Sequence, residues 1–266
     1  MDDDDPRRVG GLLRQWRRRR KLSQLDLALL ADTSTRHLSC VETGRARPSR
    51  SMVLRLAEHL DVPLRDRNGL LLAAGYAPAY RESPLDSERM TMAHAALRAM
   101  LANHEPNPSV VIDRGWNVVD RNAAMSVLLG PVPSWLTGPD ANVMRLILHP
   151  DGLAGHCLNF AEVRGHALAR LAQQAAATGS RELRELHDEV SAYPAPPEAG
   201  DGVPAPTDPG GFTAPLRVRT PLGDLSLFSM IATFGAPADV TLSELAVETF
   251  FPADEATARV LRELAR

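Results

Sequence analysis

The spacing of apolar residues is helical over the first eighty residues. Leu12, Leu13 and Trp16 fall on one face of a helix that we predict from about Val9 to Arg20. Four more helices are predicted here: from Gln24, from about Thr35 to Thr43, from about Arg50 to Leu60, and from Leu64. This part of the chain is therefore predicted to be all-α.

The second and third of these helices are short and closely joined. Ser23 followed by Asp26 has the form of a capping box, which marks the start of the second helix. Ser34 caps the third helix, and Gly44 suits the left-handed backbone that ends it. Two short helices joined by a tight turn are typical of a helix-turn-helix.

Beyond these eighty residues the pattern changes. A proline-bearing link runs from Ala77 to Pro84, and a helix is predicted from about Leu85 to His104. Its residues Met90, Leu97 and Leu101 lie at helical spacing, which indicates a core face or the seam of a dimer.

The rest of the chain mixes strands with helices. Val110–Ile112 and Trp116–Asp120 read as strands around a turn at Asp113–Gly115, and a helix begins at Asn122. This order is typical of the start of PAS-type sensor domains, so we predict an α+β domain. Further strands are predicted at Pro215–Arg219, Asp224–Phe234 and Thr241–Phe250, helices at Ala161–Ala177, Arg181–Tyr193 and Pro252–Ala265, and a loop at Pro194–Gly211.

Charge is unevenly distributed, although the net charge of the chain is only −3. Residues 6–60 contain thirteen Lys and Arg residues against four acidic ones, a net charge of +9, so the remaining residues carry −12. A basic module joined to an acidic one points to a polyanionic partner for the first module alone. A solvated helix face is the alternative for the run Arg17–Lys21.

Several classes of protein are disfavoured by the composition. Two cysteines provide neither a disulfide framework nor a metal quartet, and no run of about 18 apolar residues predicts a membrane span. HPDGLAGH, residues 149–156, with Cys157 beside it, fits no zinc signature, and no phosphate-binding loop or nucleophile elbow is present. We expect a cytoplasmic protein that is not an enzyme, with no metal, no cofactor and no membrane partner.

The segment LSQLDLALLADTSTRHLSCVETGRARPS, residues 22–49, resembles the Cro/C1-type (XRE) helix-turn-helix of phage repressors. The resemblance extends over roughly residues 8–75 and implies a double-stranded DNA operator as partner. In this family the recognition helix lies in the major groove, where the residues near its N-terminus reach the base edges. The resemblance also implies an internal salt bridge between Arg17 and Glu42.

Individual roles follow from this resemblance. Thr35, Arg36, Ser39 and Cys40 are the expected base-contacting residues, and Arg36 is the best candidate for a bidentate contact to guanine. Cys40 stands where the family often has a polar residue, so its contact would be apolar or to the backbone. Phosphate contacts are expected from four residues, Gln24, Arg45, Arg47 and Arg50.

The second half resembles the MmyB-like ligand-binding domain that follows XRE modules in actinobacterial regulators. NPSVVIDRGWNVVDRNAA (107–124), LILHPDGL (146–153) and VETFFPADEATARVLREL (247–264) carry the likeness. The resemblance implies a PAS-like sheet and a fatty-acid-like ligand. We therefore predict a DNA-binding domain at 1–80, a connector helix at 81–104 and a ligand-binding domain at 105–266.

A pocket for such a ligand should be mostly apolar with a few polar anchors. The expected lining comprises Trp116, Val118, Trp135, Phe160, Phe228, Met230 and Phe234, although ordinary core packing is the alternative for each. Arg121, Asn122 and Arg164 are candidates for binding a carboxylate head group, with plain surface positions as the alternative.

Two hypotheses about function remain. The leading one is a homodimeric transcription regulator whose affinity for its operator is tuned by an apolar small molecule. One recognition helix reads few base pairs, so two subunits would read two half-sites. The alternative is a DNA-bound adaptor whose second domain docks another protein and binds no small molecule.

Overall fold

The computed structural model describes residues 6–196, 215–221 and 223–264, and the chain divides into two compact units. The first unit contains the residues up to Pro84 together with Ala176–Gly179 and Ala236–Ser243. The second unit contains Leu85–Ala175, Ser180–Gly235 and the residues from Glu244 onward. Within the described residues, no helix has both the length and the apolar character needed to cross a bilayer.

The first unit is helical, as the sequence predicts. The capping box is confirmed, because Ser23 Oγ accepts from the Asp26 N–H and Asp26 Oδ2 accepts from the Ser23 N–H. Ser34 and Ser49 cap the next two helices in the same position. The helices are α1 (Pro6–Arg19), α2 (Gln24–Leu30), α3 (Thr35–Glu42), α4 (Arg50–His59) and α5 (Leu64–Ala73).

A buried ion pair joins α1 to α3. Arg17 Nε donates to Glu42 Oε1 at 2.6 Å and Arg17 Nη2 donates to Glu42 Oε2 at 2.8 Å, which confirms the predicted pair. Gly10 lets the two helices approach closely, since a Cβ there would lie 2.2 Å from the Val41 carbonyl oxygen. Burial opposes ionisation of Glu42, but its hydrogen bonds with Arg17 and Gln24 prevail and hold its pKa below the usual value.

The segment before the last strand differs from the prediction. We predicted a strand over Thr241–Phe250, but Val240–Ser243 forms a helical turn, α12. Asp239 Oδ1 accepts from the Thr241 N–H at 2.9 Å, and this cap starts the turn. Asp239 also accepts from Ser83 Oγ at 2.7 Å, which holds α12 inside the first unit.

The second unit is built on a five-stranded antiparallel sheet in the order β2-β1-β5-β4-β3. The second strand starts at Val118 and not at Trp116, because Trp116 has a left-handed backbone with φ of 66°, which a strand cannot contain. The strands are β1 (Ser109–Ile112), β2 (Val118–Arg121), β3 (Leu216–Thr220), β4 (Gly223–Thr233) and β5 (Ala246–Pro252).

Helices cover this sheet. Residues 197–211 of the predicted loop lie outside the described residues. The short helices α8 and α9 and the two 3-10 turns, Glu88–Met90 and Ala154–His156, were not predicted. The helices are α6 (Thr91–Asn103), α7 (Ala123–Leu128), α8 (Ser134–Thr137), α9 (Val143–Leu148), α10 (Phe160–Thr178), α11 (Arg181–Ser191) and α13 (Glu255–Leu264).

The core of the second unit lies against one face of the sheet. Val110, Leu227 and Phe250 from the sheet pack with buried residues of α7, α9, α10 and α11. Met90, Leu97 and Leu101 are also buried within a single chain, so of the two predicted roles the core face is confirmed and the dimer seam is wrong.

We predict that Glu42→Gln destabilises the first unit by about 3 kcal/mol, because Arg17 would remain buried without its counter-charge. The folded pKa of Glu42 lies below its unfolded value, so the pair stabilises the fold above the unfolded pKa. That stabilisation is lost as the pH falls through the folded pKa. Hydrogen exchange of peptides from α1–α4, measured across pH, checks this.

The control is Glu185→Gln, which removes one carboxylate of an exposed i,i+4 pair with Arg181. It should leave protection of α1–α4 unchanged at every pH. Equal protection of α1–α4 in Glu42→Gln and wild type at neutral pH would show that the buried pair does not stabilise this unit.

Candidate DNA-binding surface and ligand cavities

Helix α3 presents two chemically different faces. Leu38, Val41 and Glu42 are buried against the rest of the first unit. The four predicted base-contacting residues lie on the other side, at spacings of three and four that share a helical face. Arg36 is exposed, whereas Thr35, Ser39 and Cys40 are partly exposed.

The predicted phosphate-contacting residues have different surroundings. Arg45 is exposed within the loop that follows α3, and Arg50 is exposed at the first residue of α4. Arg47 is also exposed, but its guanidinium donates to the Ala74 carbonyl at 2.9 Å and lies over the Tyr76 ring. Gln24 Nε2 donates to Glu42 Oε2 at 2.8 Å, so its side chain belongs to the buried ion-pair cluster. Neither structural contact was evident from the sequence.

The turn between β1 and β2 is held by side chains. Asp113 Oδ1 accepts from the N–H groups of Gly115 and Asn117 at 2.8 and 2.9 Å. This turn places Trp116 in its left-handed conformation, which costs about 1–3 kcal/mol for a bulky residue and is found mainly at functional sites. The Trp116 indole N–H donates to Gln174 at 2.8 Å, and the Arg170 guanidinium lies 4.6 Å from the ring centroid.

Asn142 connects this turn to α9. Its Nδ2 donates to the Gly115 carbonyl and to Asn117 Oδ1, at 2.8 and 3.0 Å. Its Oδ1 caps α9 by accepting from the N–H groups of Met144 and Arg145. Asn122, by contrast, caps α7 and donates to the carbonyls of Leu101 and Asn107, so it is a structural residue and not a head-group ligand.

Two cavities lie between the sheet and the helices of the second unit. The first, of about 30 Å³, is lined by apolar side chains of β1, β2, α7, α9 and β5, and by Arg121. The second, of about 230 Å³, is lined by Trp116, by α9 and α10, and by Glu248 and Phe250 of β5. Both cavities are bounded by Val143, Ile147, Leu216 and Phe250.

The predicted pocket residues divide among several locations. Trp116 lines the larger cavity and Val118 the smaller one. Phe160 is buried in the core, while Phe228 stacks on Phe251 with ring centroids 5.5 Å apart. Trp135 and Met230 are 62% and 58% exposed, and Phe234 is half-buried just after β4. These five residues do not line either described cavity.

Two ionisable side chains of the sheet, Arg121 and Glu248, also line the cavities. Arg121 was considered a head-group ligand from the sequence, but Glu248 was missed. Burial raises the pKa of Glu248, while a hydrogen bond with Ser229 and the charge of Arg170 act in the opposite direction. The signal in the sequence was a carboxylate in the apolar run VETFF, residues 247–251.

The cluster around His149 has a structural explanation. Its ring packs edge-on against Trp135 and Tyr193, at centroid distances of 5.0 and 4.8 Å, and its Nδ1 accepts from the Asp151 N–H. Among the described residues, no group of three or more His, Cys, Asp or Glu side chains is placed to hold a metal ion.

Two protein-family models match separate parts of the chain. A helix-turn-helix domain model matches residues 8–70, and the model for the MmyB-like transcription regulator ligand binding domain matches residues 93–264. No curated protein matches the chain significantly.

Among solved structures, the "Structure of an RNA-binding Light-Oxygen-Voltage Receptor" matches this chain in an alignment that covers 98% of this chain and 62% of the receptor chain. This chain therefore spans less than two thirds of that protein. The sequence identity is 13% and the TM-score 0.30, which is too low to infer a shared function. The ligand-binding-domain model, by contrast, covers more than half of this chain. The chain therefore belongs to the MmyB-like transcription regulators, with a helix-turn-helix domain ahead of the ligand-binding domain that defines the family.

Proposed function

We propose that this regulator binds a specific double-stranded DNA operator with an affinity tuned by an apolar, fatty-acyl-like molecule. The observation that carries the proposal is the presence in one chain of an exposed, Arg-bearing face on α3 and of apolar-walled cavities in the second unit. The Arg-bearing face suits a DNA partner, and the apolar-walled cavities suit an apolar ligand.

The DNA-binding part of the proposal rests on charge and exposure. Arg36 is exposed near the N-terminus of α3, where a guanidinium can reach the O6 and N7 acceptors of guanine. Arg45 and Arg50 are exposed beside the same helix and are suited to phosphate contacts that set register. Binding should therefore weaken steeply as the salt concentration rises.

The ligand-binding part rests on the cavity walls. Trp116, Val143 and Phe250 give the larger cavity an apolar surface, and Glu248, His166 and Arg170 supply a small number of polar groups. This combination is typical of small-molecule sites, in which apolar walls provide affinity and a few polar groups fix orientation.

Covalent continuity offers a route for coupling. Helix α12 belongs to the first unit, and three residues later the chain enters β5, whose Glu248 and Phe250 line the larger cavity. The connector over residues 77–104 is a second covalent link. A ligand that binds one arrangement of the chain better than another would shift operator affinity, and a coupling of 1–3 kcal/mol corresponds to about 5–150-fold.

A protein-docking adaptor is the second candidate function. Trp135 and Met230 are both exposed in the second unit, and exposed apolar side chains favour protein contacts when they form a patch. Native mass spectrometry of the purified chain separates the two functions, since a retained small molecule supports the regulator and its absence together with a captured protein supports the adaptor.

We predict that Arg36→Ala removes discrimination at one base pair, by roughly 1–3 kcal/mol, because the bidentate contact to guanine is lost. The matched change Arg45→Ala should weaken binding to all sequences about equally, because phosphate contacts carry no sequence information. Fluorescence anisotropy with the operator and its single-base variants measures both. Unchanged relative affinities in Arg36→Ala would mean that α3 is not the recognition helix.

We also predict a homodimer, because one recognition helix reads too few base pairs for a specific site. Two half-sites spaced by about one helical turn should then bind much more tightly than a single half-site. Analytical ultracentrifugation at micromolar concentration, with anisotropy on single and paired half-sites, checks this. A monomeric mass combined with equal affinity for both DNAs would rule the dimer out.

A further inference from the structure

Two polar side chains interrupt the core-facing surface of the sheet in one cross-strand row. Arg121 of β2 pairs with Val110 of β1, and Val110 pairs with Glu248 of β5. Directly paired residues point to the same face, so all three side chains lie on the side that packs against the core. Adjacent strands are about 4.8 Å apart, which puts Arg121 and Glu248 roughly 10 Å from each other.

Arg121 has a buried donor that the protein does not use. Its Nη2 donates to the Thr137 carbonyl at 3.2 Å, but its Nη1 is buried and has no hydrogen-bond partner among the described residues. A buried, unpaired N–H is costly, and a charged one more so. Because Arg121 also lines the smaller cavity, an anionic ligand group there would satisfy this donor.

Glu248 is the second polar group in the row. It is only 5% exposed, on the central strand β5, where an apolar side chain would pack without cost. Ser229 provides one hydrogen bond, which leaves further acceptor capacity on the carboxyl. The side chain lines the larger cavity, so a ligand hydroxyl can donate to it.

The two cavities share their intervening wall. Val143, Ile147, Leu216 and Phe250 line both, so the two cavities are adjacent, and a shift of these apolar side chains would let a single apolar chain reach from Arg121 to Glu248. The cavities measure about 30 and 230 Å³. A cavity of about 150 Å³ accommodates benzene, so a chain of roughly eight carbons suits this pair.

We propose that the two cavities hold one ligand, a medium-chain aliphatic hydroxy acid whose carboxylate accepts from Arg121 and whose hydroxyl donates to Glu248. This inference rests on the proposed function and specifies its ligand class. Glu248 and Arg121 are then the residues that determine specificity, and a plain alkyl chain would leave the Arg121 Nη1 donor and the remaining acceptor capacity of Glu248 unsatisfied.

The test is isothermal titration calorimetry of the full-length protein with 8-hydroxyoctanoate, octanoate and octan-1-ol. These probes share an eight-carbon chain and differ only in whether they carry the acid, the hydroxyl or both. We expect 8-hydroxyoctanoate to bind at least tenfold more tightly than either of the others, because only it satisfies both anchors.

Substitutions assign each end of the probe to its anchor. Arg121→Met should weaken octanoate and 8-hydroxyoctanoate at least tenfold and leave octan-1-ol within about twofold. Glu248→Leu should remove the preference for 8-hydroxyoctanoate over octanoate, and Glu248→Gln, whose amide oxygen still accepts, should keep most of it. Arg219→Met and Asp224→Asn are matched controls, since this pair is exposed elsewhere on the same sheet.

Circular dichroism and hydrogen exchange establish that each variant is folded. Equal binding of octanoate and 8-hydroxyoctanoate to the wild type, or an unchanged preference in a folded Glu248→Leu, would overturn the hydroxyl assignment. An unchanged octanoate affinity in Arg121→Met would overturn the carboxylate assignment. Binding of none of the three probes would overturn this inference, and would overturn the proposed function as well if the purified chain also retains no small molecule.

Discussion

The geometry of the second unit depends on the side-chain amide of Asn142. Its Nδ2 donates to the Gly115 carbonyl and to Asn117 Oδ1 in the turn between β1 and β2. Its Oδ1 accepts from the Met144 N–H and so caps the first turn of α9. This one residue is 2% exposed and fixes the start of β2 relative to the helix that forms the wall between the two cavities. Without it, the Gly115 carbonyl and two α9 N–H groups would lose their partners, at a cost of about 1–3 kcal/mol for each that is left buried.

Three residues that line the cavities lie where the fold departs from its most stable choice. Trp116 occupies a left-handed backbone region, Arg121 keeps an unused buried donor, and Glu248 places a carboxyl on the central strand. Such local conflicts concentrate at functional sites. In the first unit the buried Arg17 is fully paired with Glu42, while Arg36 is left exposed. Arg17 therefore stabilises the fold, whereas Arg36 is available to contact DNA.

Much of the first unit could be predicted from the sequence because its signals are local. Ser23 and Asp26 cap a helix within one turn, and the Arg17–Glu42 pair follows from the family resemblance. The ligand cavities of the second unit could not be predicted in the same way, because their polar residues are brought together by pairing between strands that are distant in the sequence. The row that brings Arg121 near Glu248 exists only once β1 lies between β2 and β5, and no periodicity encodes that order. Exposed aromatic residues such as Trp135 cannot be distinguished from cavity walls by composition alone.

The central claim is that a bound ligand changes the affinity of the protein for its operator. The most direct test is an operator titration at fixed salt, with and without saturating octanoate. It should be performed on the wild type and on Val118→Trp, whose larger side chain would fill the smaller cavity. We predict that octanoate changes the wild-type operator affinity by about 5–150-fold and leaves that of Val118→Trp unchanged. Superimposable curves for the wild type with and without octanoate, with calorimetry showing that octanoate is bound, would contradict the account.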